Sequence, residues 1–124
     1  MAVITFSISS GPGVTPAQSL PMKAQNFNGM GASALVNFSG QGVVAGFTAA
    51  TGTVTLQVSN DPNANPAGTP AQQALARWNN HDMLKNLTTD ANNSIIYPCA
   101  YVRLVATTAI SGTVTAQIGI PDQL

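Results

Sequence analysis

His81 and Asp82 are adjacent in the chain, four residues after Arg77 and three after Trp78. Such types can act as a base, an orienting carboxylate and an anion clamp. Nucleophilic catalysis needs a nucleophile and a base within hydrogen-bond reach, with a third group orienting the base. Neighbours on an extended chain point in opposite directions, so this spacing assembles no such relay. His81 is expected to be a hydrogen-bonding residue of a loop. The chain has one histidine and one cysteine, too few for the usual zinc ligand sets. Its aspartates, Asp61, Asp82, Asp90 and Asp122, show no calcium-loop spacing. Cys99 follows Pro98 with no basic cluster nearby to lower its pKa, and reads as a small buried apolar residue. Gly11-Pro12-Gly13 is not followed by the Gly-Lys-Ser/Thr of a phosphate loop. Asn37, Asn86 and Asn92 begin glycosylation patterns, chance matches without a secretory signal. No catalytic, cofactor-binding or metal residue is expected, and no enzyme.

Charge excludes further classes. Only 6% of the 124 residues are charged, the formal net charge is zero and there is no glutamate. A typical soluble domain has about 25% charged residues. Nucleic-acid binding needs clustered Lys and Arg to neutralise phosphates. Lys23, Arg77, Lys85 and Arg103 are scattered, so no nucleic-acid partner is expected. No segment reaches the ~18 apolar residues that span a bilayer, so no membrane partner is expected either. Met1 to Phe6 lacks the basic start and apolar stretch of a signal peptide, and synthesis and retention in the cytoplasm until assembly are expected. A near-neutral monomer has weak colloidal protection. Much of the surface is therefore expected to be covered by identical subunits or by a larger scaffold.

The elements that would position these residues read as strands. Ile4, Phe6 and Ile8 alternate with Thr5, Ser7 and Ser9, as in a half-buried strand. Residues 9–22, with Pro12, Pro16 and Pro21, read as an extended arm or linker suited to contact a neighbouring chain. Residues 34–39 alternate again. Thr48 to Gln57 and Thr108 to Gln117 share the pattern T-A-x-x-G-T-V-T-x-Q at an offset of 60 residues, from Gly52 to Gly112. Each copy follows a strand-like run and is expected to form the second arm of a β-hairpin, turning at its glycine. Between the copies, residues 60–70 form a long polar loop. Pro70 to Trp78 is a helix-like window of at most two turns, with Ala71, Ala74, Leu75 and Trp78 on one face. Trp78 is expected in the core beneath the loop or in a subunit contact, ahead of a ligand platform. In the strand from Tyr101 to Val105, Val102 and Leu104 are expected inside and Arg103 at the surface or in a subunit contact, because an unpaired buried arginine is costly. That strand is expected to be central.

Gln57-Val58-Ser59-Asn60-Asp61-Pro62, Trp78, Tyr97 to Leu104 and Ser111 to Thr115 together resemble small phage structural proteins. There a strand ending in Ser-Asn-Asp precedes a tryptophan, and a Tyr-Pro-x-x-x-Val-Arg-Leu strand and a Ser-Gly-Thr-Val-Thr hairpin close the domain. The pattern also resembles the galactose-binding-like jelly roll, and covers roughly residues 53–118. Several capsid decoration, or cement, proteins are jelly rolls of about this size. The resemblance implies a decoration protein of a tailed bacteriophage on the capsid surface of the virion, partnered by the major capsid protein and by further copies of itself. The chain departs from the carbohydrate-binding relatives in that residues 60–70 separate Ser-Asn-Asp from the tryptophan, and its loops offer mostly Asn, Ala and Pro.

The expected fold is one all-β domain over residues 1–124: a β-sandwich of jelly-roll type with an N-terminal arm and one long loop carrying a short helical turn. The expected function is non-enzymatic, as a capsid decoration protein. The alternative is a phage tail, fibre or baseplate module that binds a host glycan. The candidate interface residues are Trp78, Arg77, Arg103, Pro12, Pro16 and Pro21.

Overall fold

The structure, a computed structural model, describes residues 2–14, 18–19, 32–38, 50–95 and 100–120. Its seven strands are β1 (Ala2–Val14), β2 (Gln18–Ser19), β3 (Ala32–Asn37), β4 (Val54–Ser59), β5 (Asn79–Asn80), β6 (Ala91–Ile95) and β7 (Tyr101–Ile120). They form one curled antiparallel sheet, and the protein is all-β with very little helix.

The sheet is organised around β7, 20 residues long. Along β7, β1 pairs from Ala2↔Ile120 to Val14↔Val105, and β2 continues at Gln18↔Val102 and Ser19↔Tyr101. β4 pairs with the first part of β7, from Val54↔Ala106 to Ser59↔Tyr101. β3 pairs with the last part, from Ser33↔Gly119 to Asn37↔Thr115, and carries β6 beyond it. The expected central position of the Tyr101–Val105 strand is observed.

Period-2 alternation decides which face is inside. Val102, Leu104, Ala106, Val114, Ala116 and Ile118 of β7 are buried, as are Val54, Leu56 and Val58 of β4, Ala34 and Val36 of β3, and Phe6 and Ile8 of β1. All belong to one core cluster, which Phe38, Leu84 and Ile110 complete. Burying one such aliphatic side chain contributes about 1.5–3 kcal/mol. Val102 and Leu104 lie inside and Tyr101, Arg103 and Val105 are half-buried on the other face, as the alternation predicts.

The second copy is strand throughout and the first is strand from Val54. Gly112 turns no hairpin, and the run ending at Phe47 that would form the first arm before Gly52 lies outside the described residues. Gly112 lies within β7, and Gly52 leads directly into β4. Thr51 and Ser111, equivalent positions of the two copies, pair with each other: Thr51 N–H donates to Ser111 O at 2.8 Å and Ser111 N–H to Thr51 O at 3.0 Å. The copies therefore cross antiparallel about a local two-fold axis. Their environments match: Val54 and Val114 are fully buried, Thr55 and Thr115 are each 3% exposed, and Gln57 and Gln117 are half-buried. Gly52 and Gly112 take φ of 124° and 83°, values that disfavour any side chain. A Cβ on Gly52 would also lie 2.5 Å from Ile110 Cδ1 and 2.8 Å from Ala109 O.

Two further expectations change. Residues 9–14 and 18–19, expected in an arm, are strand paired to β7 of the same chain. Pro12 sits between Gly11↔Ile110 and Gly13↔Ala106, where the register shifts. Its missing N–H therefore falls where the ladder is already broken. Pro16 and Pro21 lie outside the described residues, as do Tyr97, Pro98 and Cys99. The helix-like window yields only α1 (Pro70–Ala74), with Pro70 in its first turn and a Thr69/Gln72 capping box. Its expected apolar face is not buried: Ala71 and Ala74 are exposed and Leu75 is 70% exposed. Local capping holds this helix, not a hydrophobic stripe.

Candidate functional site

The outer face of β4 and β7 holds the sequence-selected residues Trp78 and Arg103. Register sets Gln57 opposite Arg103 and Asn80 of β5 opposite Gln57. Arg103 Nε–H donates to Gln57 Oε1 at 2.8 Å, and Gln57 Nε2–H donates to Asn80 Oδ1 at 3.0 Å. The Arg103 guanidinium carbon lies 4.2 Å from the centroid of the Trp78 ring, a cation–π stack. Four side chains thus run in a row across three strands, each fixed by the next. Partial burial pushes the Arg103 pKa down, because desolvation disfavours the charged form. Trp78 is half-buried and outside the core cluster, so the core position beneath the loop is not what is observed.

The backbone around residues 59–61 and 77 sets where Trp78 sits. Ser59 Oγ–H donates to Arg77 O at 2.6 Å, and Asp61 N–H donates to Ser59 Oγ at 3.0 Å. Asp61 accepts from Asn63 N–H at 2.9 Å with one carboxylate oxygen and from Arg77 N–H at 2.9 Å with the other. Residues 62–76 are thereby closed at their base. Asp61 is held below the usual carboxylate range by those two N–H donors, Asn63 first and Arg77 second. Slight desolvation opposes them, and the Arg77 charge adds a smaller favourable contribution. Arg77 enters through its backbone, and its side chain is exposed. Ser59, Asp61, Asn63, Leu75, Arg77 and Asn79 line an open depression beside this junction.

His81 is a loop residue that bonds backbone, as expected. It is 3% exposed, and Nδ1 accepts from Met83 N–H and Leu84 N–H, both at 3.1 Å. Its Nε2 faces Ser94 O at 2.9 Å. A nitrogen that accepts two N–H bonds carries no proton, so the ring is the neutral Nε2–H tautomer. It rounds a bulge between His81 N–H→Leu56 O (2.9 Å) and Leu56 N–H→Leu84 O (2.8 Å), and turns Leu84 into the core. Both ring nitrogens are occupied by backbone, and Asp82 beside it is exposed.

Sequence reasoning selected Trp78 and Arg103 separately but missed Gln57 and Asn80. Gln57 was legible as the half-exposed member of an alternating strand. Asn80 had no signal, because its role depends on pairing with β4. The quoted Ser-Asn-Asp, Trp and Val-Arg-Leu residues converge here, with Ser59 opposite Tyr101 and Trp78 on Arg103. Among the described residues, no group of three or more His, Cys, Asp or Glu could hold a metal, and no helix is long and apolar enough to cross a membrane. Comparison with protein-family models, curated proteins and solved structures gives no match.

Proposed function

We propose that this chain is a non-enzymatic virion structural protein of a tailed bacteriophage. In this reading it decorates the outside of the assembled head and bridges neighbouring major capsid protein subunits. The observation that carries this reading is the chemistry of the exposed surface. Leu75 and Met83 are 70% and 66% exposed, on a chain with only 6% charged residues. Protein interfaces are depleted in charge at their centre and enriched in aromatics, Met and Arg. Trp78, Arg103 and Met83 supply those types. We also propose that the curled sheet is the core of a jelly-roll sandwich and that the protein self-associates on the head.

The mechanism is mechanical. A sheet with one apolar core bridges two subunits, so separating them also breaks the bridge. A protein that binds the assembled lattice and not its parts stabilises the lattice by mass action. The glycan-binding alternative is less well supported, because Arg103 already covers one face of the Trp78 indole, a surface a sugar ring would stack on. The test is co-sedimentation with heads stripped of this protein and with dissociated major capsid protein. Binding to heads alone, with a rise in their disassembly temperature, is expected. Failure to bind heads overturns the reading.

A further inference from the structure

Arg103 is held as a receptor holds its cation, yet among the described residues no anion pairs with it. Its Nε is committed to Gln57 and its plane to Trp78. The chain has four aspartates and no glutamate. Asp61 is engaged by Asn63 and Arg77, Asp90 accepts from Phe38 N–H at 2.6 Å, and Asp82 is exposed. None forms an ion pair with Arg103 among the described residues, and Asp122 lies outside them. No buried side-chain nitrogen or oxygen among the described residues lacks a partner, so the terminal guanidinium nitrogens, which make no bond there, face solvent. Ordering an arginine side chain costs rotamer entropy. Here that cost is met in the free protein, and one N–H from each of the two terminal NH2 groups is left pointing outward as a planar fork. This geometry fits one carboxylate in two parallel hydrogen bonds.

We propose that Arg103, braced by Trp78 and by Gln57 with Asn80 behind it, receives an aspartate or glutamate side chain of the partner protein subunit. The inference rests on the reading of the protein as a surface-binding virion component and names the chemistry its partner presents. One braced guanidinium on a net-neutral chain with only four scattered basic residues suits one carboxylate and not a run of phosphates. Arg103 is half-buried, which leaves a charge-assisted bond at its exposed end less screened than one made wholly in water.

The test has two arms. In the first, the side-chain N–H resonances of Arg103 and Trp78 are followed by NMR during titration with acetate, chloride, phosphate or N-acetylneuraminic acid at constant ionic strength. Saturable shifts with acetate that chloride does not reproduce, abolished in Arg103→Gln and kept in Asp122→Asn, are expected. No saturable shift, a shift retained in Arg103→Gln, or a response to acetate only in Asp122→Asn overturns the proposal. Tighter response to phosphate, or to the sugar acid over acetate, overturns the assignment to a protein carboxylate. In the second arm, Arg103→Gln and Arg103→Lys are compared in binding stripped heads. A loss of about tenfold or more for Gln, with only partial recovery in Lys and an unchanged melting temperature, is expected. Equal binding by all three proteins overturns the proposal. If the native protein binds no heads but acetate still saturates Arg103, the decoration reading fails and the carboxylate site stands.

Discussion

The two faces of the β4–β7 pair are built from the same two strands and do opposite work. On the inner face Val54, Leu56 and Val58 meet Val102, Leu104 and Ala106, all buried. Any aliphatic group of the right volume serves there, because dispersion and water exclusion have little direction. On the outer face Thr55, Gln57 and Ser59 stand opposite Val105, Arg103 and Tyr101, and each polar side chain of β4 has particular bonding partners. Thr55 Oγ1 accepts from Asn86 N–H, Gln57 bonds Arg103 and Asn80, and Ser59 Oγ bonds Arg77 O and Asp61 N–H. The inner face supplies stability and tolerates exchange of like for like. The outer face supplies little stability and depends on the identity of each residue.

The largest expected effect is on the inner face. Leu104→Ala removes a fully buried side chain and should cost about 2–5 kcal/mol, read as a fall in the urea midpoint with an unchanged slope. Next is the crossing of the two repeats. Gly52→Ala must keep φ at 124° and places a methyl against backbone. The strain should cost about 1–3 kcal/mol or more, and equal melting of variant and native protein would break the two-fold account. His81→Phe preserves the ring but leaves the Met83 and Leu84 N–H groups unbonded, at about 1–3 kcal/mol. Imidazole nitrogen shifts in the native protein should report the Nε2–H tautomer.

The smaller effects sharpen the contrast from the outer side. The Asp61 carboxyl has a lower pKa folded than unfolded, so its ionised form favours the folded state. That stabilisation is present above the usual aspartate value, about 3.9. It is lost as pH falls through the lower folded value. The melting-temperature gap between native protein and Asp61→Asn should therefore close on acidification and stay constant above about pH 5. Arg103→Gln should change fold stability least, within about 0.5 kcal/mol. A loss as large as that of Leu104→Ala would mean that the two faces of this strand do not divide the work in this way.

Alternation made the strand faces legible, because a period of two needs no knowledge of partners. It found Val102 and Leu104 inside, Thr113–Ile118 as strand, and Thr53–Val58 as strand in all but its first residue. Gly112 misled because positive φ serves both a hairpin turn and a kink inside a long pairing. What decides between them is Thr51↔Ser111, a contact 60 residues apart in sequence. Pro12 misled because proline is tolerated in a strand where the ladder is already broken. Ala71, Ala74 and Leu75 misled because helical spacing states which residues share a face, not that anything covers it. Of the outer site, Trp78 and Arg103 were visible by type. Their contact was not, since it depends on β4 lying between β5 and β7.

The position of β7 at the hub of the sheet has a consequence in time. Four of the other six strands pair with it, and Ala2 finds its partner only at Ile120. At about 5–20 residues per second, β1 waits roughly 6–24 s on the ribosome before that partner exists. Until then its uncharged edge has no native template, and the contacts that follow span most of the chain. Such topology folds slowly for its size. Its vulnerable moment is thus before folding is complete, when a nascent β1 can pair with another nascent β1.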